Sequence, residues 1–109
     1  MNKNNILFEM LQRQLKNVNP DKKLSYNDIV RILKYINSSI FCKDFCCIWS
    51  GLIEVNDDNN KSCINFYFKQ NKTSLHKLLY NNFIGELQDN EYIKFNCRNK
   101  GKCCNINHF

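Results

Sequence analysis

The apolar positions of this chain change period part-way along it. Between residues 5 and 18, Ile6, Leu7, Met10, Leu11, Leu15 and Val18 recur at helical spacing, and Pro20 forbids continuation. Ser25 then has the form of an N-cap. Asp28 completes a capping box three residues on, and Leu24 and Ile29 are placed for a hydrophobic staple. Ile29, Ile32, Leu33 and Ile36 supply the stripe of this second helix. Both predicted helices are amphipathic, so each must pack on something: each other, the rest of the chain, or a second copy of it.

From Ile48 the period falls to two. Trp49, Ile53 and Val55 alternate with Ile48, Ser50, Leu52 and Glu54, interrupted by Gly51. Asn56-Asp57-Asp58-Asn59-Asn60 reads as a turn. Ile64, Phe66 and Phe68 then alternate with Cys63, Asn65, Tyr67 and Lys69, which predicts two strands of one hairpin with an apolar face. Thr73 or Ser74 caps a short helix lined by Leu75, Leu78, Leu79 and Phe83 and ended by Gly85. Tyr92 to Phe95 is predicted as a short strand leading into a cysteine-rich loop. The expected fold class is α+β. Residues 1–41 form a helical extension and residues 42–109 a small hairpin, helix and loop domain, with the shift near Ser38 to Cys42 as the boundary.

That last loop carries the candidate chemistry. Residues 97–109 read C-R-N-K-G-K-C-C-N-I-N-H-F. Cys97, Cys103 and His108 are close enough in sequence for one loop to wrap an ion, and Cys47 closes the shell from a distance. Three thiolates and an imidazole suit one structural zinc ion, with no position left open for chemistry. The register stays open at two places: Cys46 can replace Cys47, and Cys104 can replace Cys103. Cys42 is an outside candidate, which with the others offers an alternative set of four cysteines. Cys63, mid-strand, is expected to be structural.

Composition bears on this in two ways. Seven cysteines, an odd number, without a secretory leader favour metal binding in a reducing intracellular compartment over a disulfide framework. No apolar run is long enough to span a membrane. The formal net charge is +6; a zinc ion adds two charges and three thiolates remove three, leaving +5. A basic balance favours an anionic partner, most often nucleic acid. The chain is also rich in Asn, Lys and Ile, as expected of an AT-rich coding sequence such as that of many viruses, and this raises Lys everywhere.

Several spaced motifs run in a recognisable order over residues 46–109. They are Cys47-Ile48-Trp49-Ser50-Gly51, the hairpin, Leu75-His76-Lys77-Leu78-Leu79-Tyr80, Phe83-Ile84-Gly85, Tyr92 to Asn99, and Cys103-Cys104-Asn105-Ile106-Asn107-His108. This resembles the zinc-binding region of the HNH and His-Cys-box homing endonucleases, in the His-Me finger superfamily. The family pattern runs Cys-x-Trp-x-Gly, a hairpin, a His-Arg dipeptide opening a helix, then His-x-Cys-x-Asn, Cys-x-Asn and a terminal His-Leu. The resemblance implies a degenerate His-Me finger fold, zinc-stapled, on a DNA-binding scaffold.

The departures are informative. The family's general base, the His of His-x-Cys, is Phe95 here, and phenylalanine cannot accept a proton. The family's magnesium-binding helix follows the zinc histidine, whereas this sequence stops at Phe109. Lys77 stands for the usual Arg, keeping the charge and losing the bidentate fork. One extra residue separates Cys97 from Cys103. His76, whose family counterpart is not the base, is expected to be structural or on the surface.

The family lays a β-sheet in the DNA groove, which implies a nucleic-acid surface on the polar hairpin face and the cysteine loop. The candidates are Lys61, Asn65, Tyr67, Lys69, Lys72, Lys77, Arg98, Lys100 and Lys102. The expected function is a catalytically inactive, zinc-stabilised protein that binds nucleic acid, duplex DNA first, without cleaving it. The alternative is a protein-interaction module, homodimeric or bound to a host or viral partner through its N-terminal helices.

Overall fold

The computed structural model describes residues 3–55, 57, 58, 61–88 and 90–109. Helix α1 spans Lys3–Arg13 and buries Ile6 and Met10. It ends before the apolar pattern does, because the Leu15 N–H donates to the Asn82 carbonyl, 2.8 Å away, instead of continuing the helix. Helix α2 spans Tyr26–Leu33. The predicted capping box is present: the Ser25 hydroxyl accepts from the Asp28 N–H, and the Asp28 carboxylate accepts from the Ser25 N–H. Leu24 and Ile29, the staple pair, are both buried in the core.

The hairpin differs from expectation. Its two strands pair only beside the turn, and a second small antiparallel sheet follows. Strands β1 (Glu54–Val55) and β2 (Ser62–Cys63) form the first, and β3 (Asn65–Phe68) and β4 (Asn71–Ser74) the second. Asn56, Asn59 and Asn60 of the predicted turn lie outside the described residues. The second sheet was concealed because its turn is Lys69-Gln70. Both residues hold positive φ, 49° and 67°, as a two-residue turn of the mirror-image type requires, without the usual Asn or Gly. The alternation along β3 holds: Phe66 and Phe68 are buried, Asn65 and Tyr67 exposed. Strand β4 runs directly into helix α3, Leu75–Phe83, whose N-cap is Ser74 and whose end lies just before Gly85.

No strand forms at Tyr92–Phe95. The backbone bonds that flank it run from the Glu91 N–H to the Gln88 carbonyl and from the Asn96 N–H to the His108 carbonyl, and among the described residues no neighbouring strand offers a ladder. A 3-10 turn at Ile106–His108 closes the described chain. The described residues therefore make an α+β fold with three α-helices and two small sheets.

One interior serves both ends of the sequence. Ile6 and Met10 share a core with Ile29, Ile32, Trp49, Phe66, Leu75, Leu79 and Cys104. Asn82 of α3, wholly buried, ties the α1–α2 connection to it. Its side-chain oxygen accepts from Gln14 Nε2 and the Leu24 N–H, and its nitrogen donates to the Lys22 and Leu78 carbonyls. All four of its hydrogen-bonding positions are satisfied, which is what a buried amide needs.

Candidate metal centre

Two chain segments run antiparallel beside each other to build the site. Ile48 and Cys103 face each other across an isolated bridge. The Trp49 N–H donates to the Lys102 carbonyl and the Cys104 N–H to the Cys47 carbonyl. Extended backbone sends alternate side chains to opposite faces. Cys46 therefore shares a face with Ile48 and Cys103, while Cys47, Trp49 and Cys104 turn the other way, into the core.

The result is a cluster of Cys46, Cys97, Cys103 and His108 whose ligand atoms all lie within 4.8 Å of one another. This corrects the expected ligand Cys47. Its Sγ is fully buried and donates to the Ser38 carbonyl at 3.3 Å, and burial pushes its thiol pKa up. Cys97, Cys103 and His108 stand where the sequence put them. Of the other thiols, Cys104 is buried, Cys42 half-buried and Cys63 exposed, and none joins the cluster. The register was legible after all. Parity with the buried Trp49 assigns Cys47 to the core side and Cys46 to the other, although further along the same alternation Ile53 is half-buried and Val55 exposed.

His108 is oriented for coordination. Its Nε2–H donates to the Lys43 carbonyl at 3.0 Å, which leaves the Nδ1 lone pair facing Cys46 Sγ at 3.5 Å and Cys103 Sγ at 3.6 Å. A backbone carbonyl on the far nitrogen is the usual way a ligand histidine has its tautomer fixed. A tetrahedral ion with bonds of about 2.3 Å to sulfur and about 2.05 Å to nitrogen has N···S edges of roughly 3.5 Å. The spacing and the donor set both fit.

A second layer holds these ligands. Asn105, wholly buried, donates through Nδ2 to the Cys42 and Phe45 carbonyls, and its Oδ1 accepts from the Asn107 N–H. Asn107 Nδ2 donates to the Phe41 carbonyl, and the Ile106 N–H to that of Ile40. The 105–108 turn thus grips the 40–46 loop along its length. Asn105 is part of the Cys103-Cys104-Asn105-Ile106-Asn107-His108 motif, and its neighbours Cys104 and Ile106 give no signal of this role. His76 is also buried, as a structural residue. Its Nε2–H donates to the Cys103 carbonyl at 2.8 Å, and its ring meets Phe95 and Phe109 edge-on. Burial, the larger effect, holds its pKa below the usual 6.5.

Electrostatics within the cluster are uneven. A hydrogen bond from the Asn99 side chain, the largest influence, helps bring Cys46 down to about 7. Burial pushes Cys103 up to about 12, although the Cys47 and Asn105 N–H groups both donate to its Sγ at 3.4 Å. His108 is raised, chiefly through its bond to the Lys43 carbonyl. A divalent cation at the centre favours thiolate at all three cysteines, and the two N–H···S bonds then stabilise that charge.

Gly101 sits between the ligands Cys97 and Cys103 with φ at +77°, and a Cβ there would run into the Ser62 carbonyl oxygen. Glycine is what lets the ligand loop lie against β2.

The expected nucleic-acid residues fall into separate places. Lys61, Arg98, Lys100 and Lys102 border a groove of about 550 Å³ beside the ligand loop, together with Lys94 and Tyr92. Asn65 and Tyr67 line a different groove with Arg31, Tyr35 and Trp49. Several are engaged within the chain. Asn65 Nδ2 donates to Glu54, Lys72 pairs with Glu54 at 3.8 Å, and Lys69 Nζ donates to the Pro20 carbonyl. Lys77 is exposed on α3, apart from either groove.

Comparison with known proteins adds one finding. The chain is similar to an uncharacterized protein of Acanthamoeba polyphaga mimivirus, 52% identical over 109 residues, which cover 99% of this chain and 32% of that protein. The chain spans about a third of the length of the viral relative it matches. No family model matches the chain. No solved structure matches it. No helix among the described residues is long and apolar enough to cross a membrane.

Proposed function

We propose that this chain is a zinc-stapled module that binds nucleic acid and does not cleave it. The observation that carries the binding is the groove beside the ligand loop. Five cations border it, Lys61, Lys94, Arg98, Lys100 and Lys102, and among the described residues no carboxylate does. Such a concentration of one sign on one wall is the electrostatic footprint of a polyanion site. The donor chemistry supports zinc: three sulfurs and one nitrogen, closed, as in structural zinc sites.

Phe95 occupies the position at which the resemblance to homing endonucleases puts the general base, and its ring packs against His76 and Phe109. His76, the one imidazole outside the cluster, is buried with its Nε2–H committed to a backbone carbonyl, so it is poorly placed to activate water.

The test is binding of the zinc-loaded chain to mixed-sequence nucleic acid across a salt series, by fluorescence anisotropy. Engagement of about four phosphates gives a slope of log K against log salt near −3 to −4. Affinity no better than that of a charge-matched control protein rejects the proposal.

A protein contact is the second reading. It is favoured by Phe8, 62% exposed on the face of α1 opposite Ile6 and Met10, with Leu11 beside it. A monomeric solution mass unchanged by Phe8→Ala, with no partner retained by the chain, removes it.

A further inference from the structure

The groove beside the ligand loop has a shape and a lining that narrow what it can hold. Its volume, about 550 Å³, is that of a pocket for a small molecule or a few linked groups. Its border carries Tyr92, a residue 72% exposed, among the cations. An aromatic ring held out to solvent in that way costs apolar exposure and returns nothing to the core. Among the described residues, no carboxylate pairs with Lys94, Arg98, Lys100 or Lys102.

A double helix presents phosphates and base edges, and its base faces are already stacked on each other. A groove of this size cannot enclose it, and its stacked base pairs leave the Tyr92 ring no face to cover. An unpaired strand offers both parts at once: a free base face for the ring and phosphates on either side for the cations. Arg98, Lys100 and Lys102 lie on the loop between Cys97 and Cys103, so the ligand cluster and the close approach of Gly101 to Ser62 hold the cationic wall that borders the groove with Tyr92.

We propose that this groove binds single-stranded nucleic acid, with one unpaired base stacked on Tyr92 and the adjoining phosphates held by Lys94, Arg98, Lys100 and Lys102. This rests on the nucleic-acid reading above and replaces its duplex with a strand. Stacking is sequence-tolerant, because every base has a face, so discrimination between sequences is weak.

The test compares a short mixed-sequence single strand with the duplex of the same sequence, using the zinc-loaded full chain and anisotropy at several salt concentrations. The single strand is expected to bind at least about tenfold more tightly. Tyr92→Ala is expected to weaken single-strand binding by between about five- and 150-fold. Tyr92→Phe is expected to retain it, and duplex binding is expected to move little in either variant. Because Tyr92 is exposed, both variants should fold, and circular dichroism checks that they do. Equal or tighter binding of duplex, or single-strand affinity unchanged in Tyr92→Ala, overturns the single-strand assignment and leaves nucleic-acid binding standing. No salt-dependent binding of either form overturns both.

Discussion

Gly101→Ala is the sharpest structural perturbation available near the metal centre. The added methyl meets the Ser62 carbonyl oxygen and lies 2.8 Å from the Ser62 carbonyl carbon, closer than real Cβ atoms come. Nothing flexible stands in the way, since both obstacles are backbone. A non-glycine residue at φ of +77° also carries left-handed strain of roughly 1–2 kcal/mol. Relief requires the ligand loop to lift off β2. That motion pulls on the bonds from the Lys102 N–H to Asn99 and from the Trp49 N–H to Lys102, each worth roughly 0.5–1.5 kcal/mol. The expected loss is therefore about 2–5 kcal/mol. Urea denaturation at fixed zinc reads it, with a midpoint shift of roughly 1–3 M for a loss near the middle of that range. Gly85→Ala is the control, because a Cβ there has nothing within 4 Å, and its expected change is under about 0.5 kcal/mol. If Gly101→Ala costs no more than Gly85→Ala, the packing of the ligand loop on Ser62 is not as described.

Other outcomes follow from particular residues. Cys46→Ser is expected to lower zinc affinity by at least two orders of magnitude while Cys47→Ala leaves it within about threefold and costs roughly 1 kcal/mol of stability; a competition titration giving the reverse order rejects the assigned register. Asn82→Ala leaves the buried Leu24 N–H without its acceptor, removes one of the two acceptors of Gln14 Nε2 and the bond to the Lys22 carbonyl, and is expected to cost roughly 2–4 kcal/mol; a loss under about 1 kcal/mol means the α1–α2 connection is not anchored there. Burial lowers the His76 pKa, so between its folded value and the unfolded 6.5 the unfolded state binds more protons. Its contribution to stability is fully present above pH 6.5 and is lost as pH falls below it; an NMR titration midpoint for His76 at or above 6.5 contradicts this.

Local chemistry told the helices well. Ser25 and Asp28 form a capping box wherever they precede a helical stripe, and Ser74 followed by the Leu75, Leu78, Leu79 stripe works the same way, so these starts needed no tertiary information. The end of α1 did need it, because the competitor for the Leu15 N–H is the carbonyl of Asn82, far along the chain. The sheet pairing was hidden by Lys69-Gln70, a turn whose residue types carry no turn signal. Period two alone cannot say which strand pairs with which, and so Ile64 to Phe68 was assigned to the wrong partner. At the metal centre, residue types and clustering sufficed to propose Cys97, Cys103 and His108. The choice within Cys46-Cys47 is set by side-chain parity across the Ile48–Cys103 bridge, and parity was visible in the alternation around Trp49. Asn105 and Asn82 could not be singled out in so Asn-rich a sequence; complete burial with every side-chain bond made to the chain sets them apart.

The cluster of Cys46, Cys97, Cys103 and His108 lies where the 40–49 segment meets the C-terminal loop, beside the cationic wall of the groove. Its most direct measurement is native mass spectrometry of the full chain purified without chelator, with elemental analysis of the same sample. One zinc ion per chain, removed by chelation and absent from Cys46→Ser, is the predicted result. A chain that is folded and metal-free after exposure to excess zinc, or that binds zinc equally well without Cys46, contradicts the account.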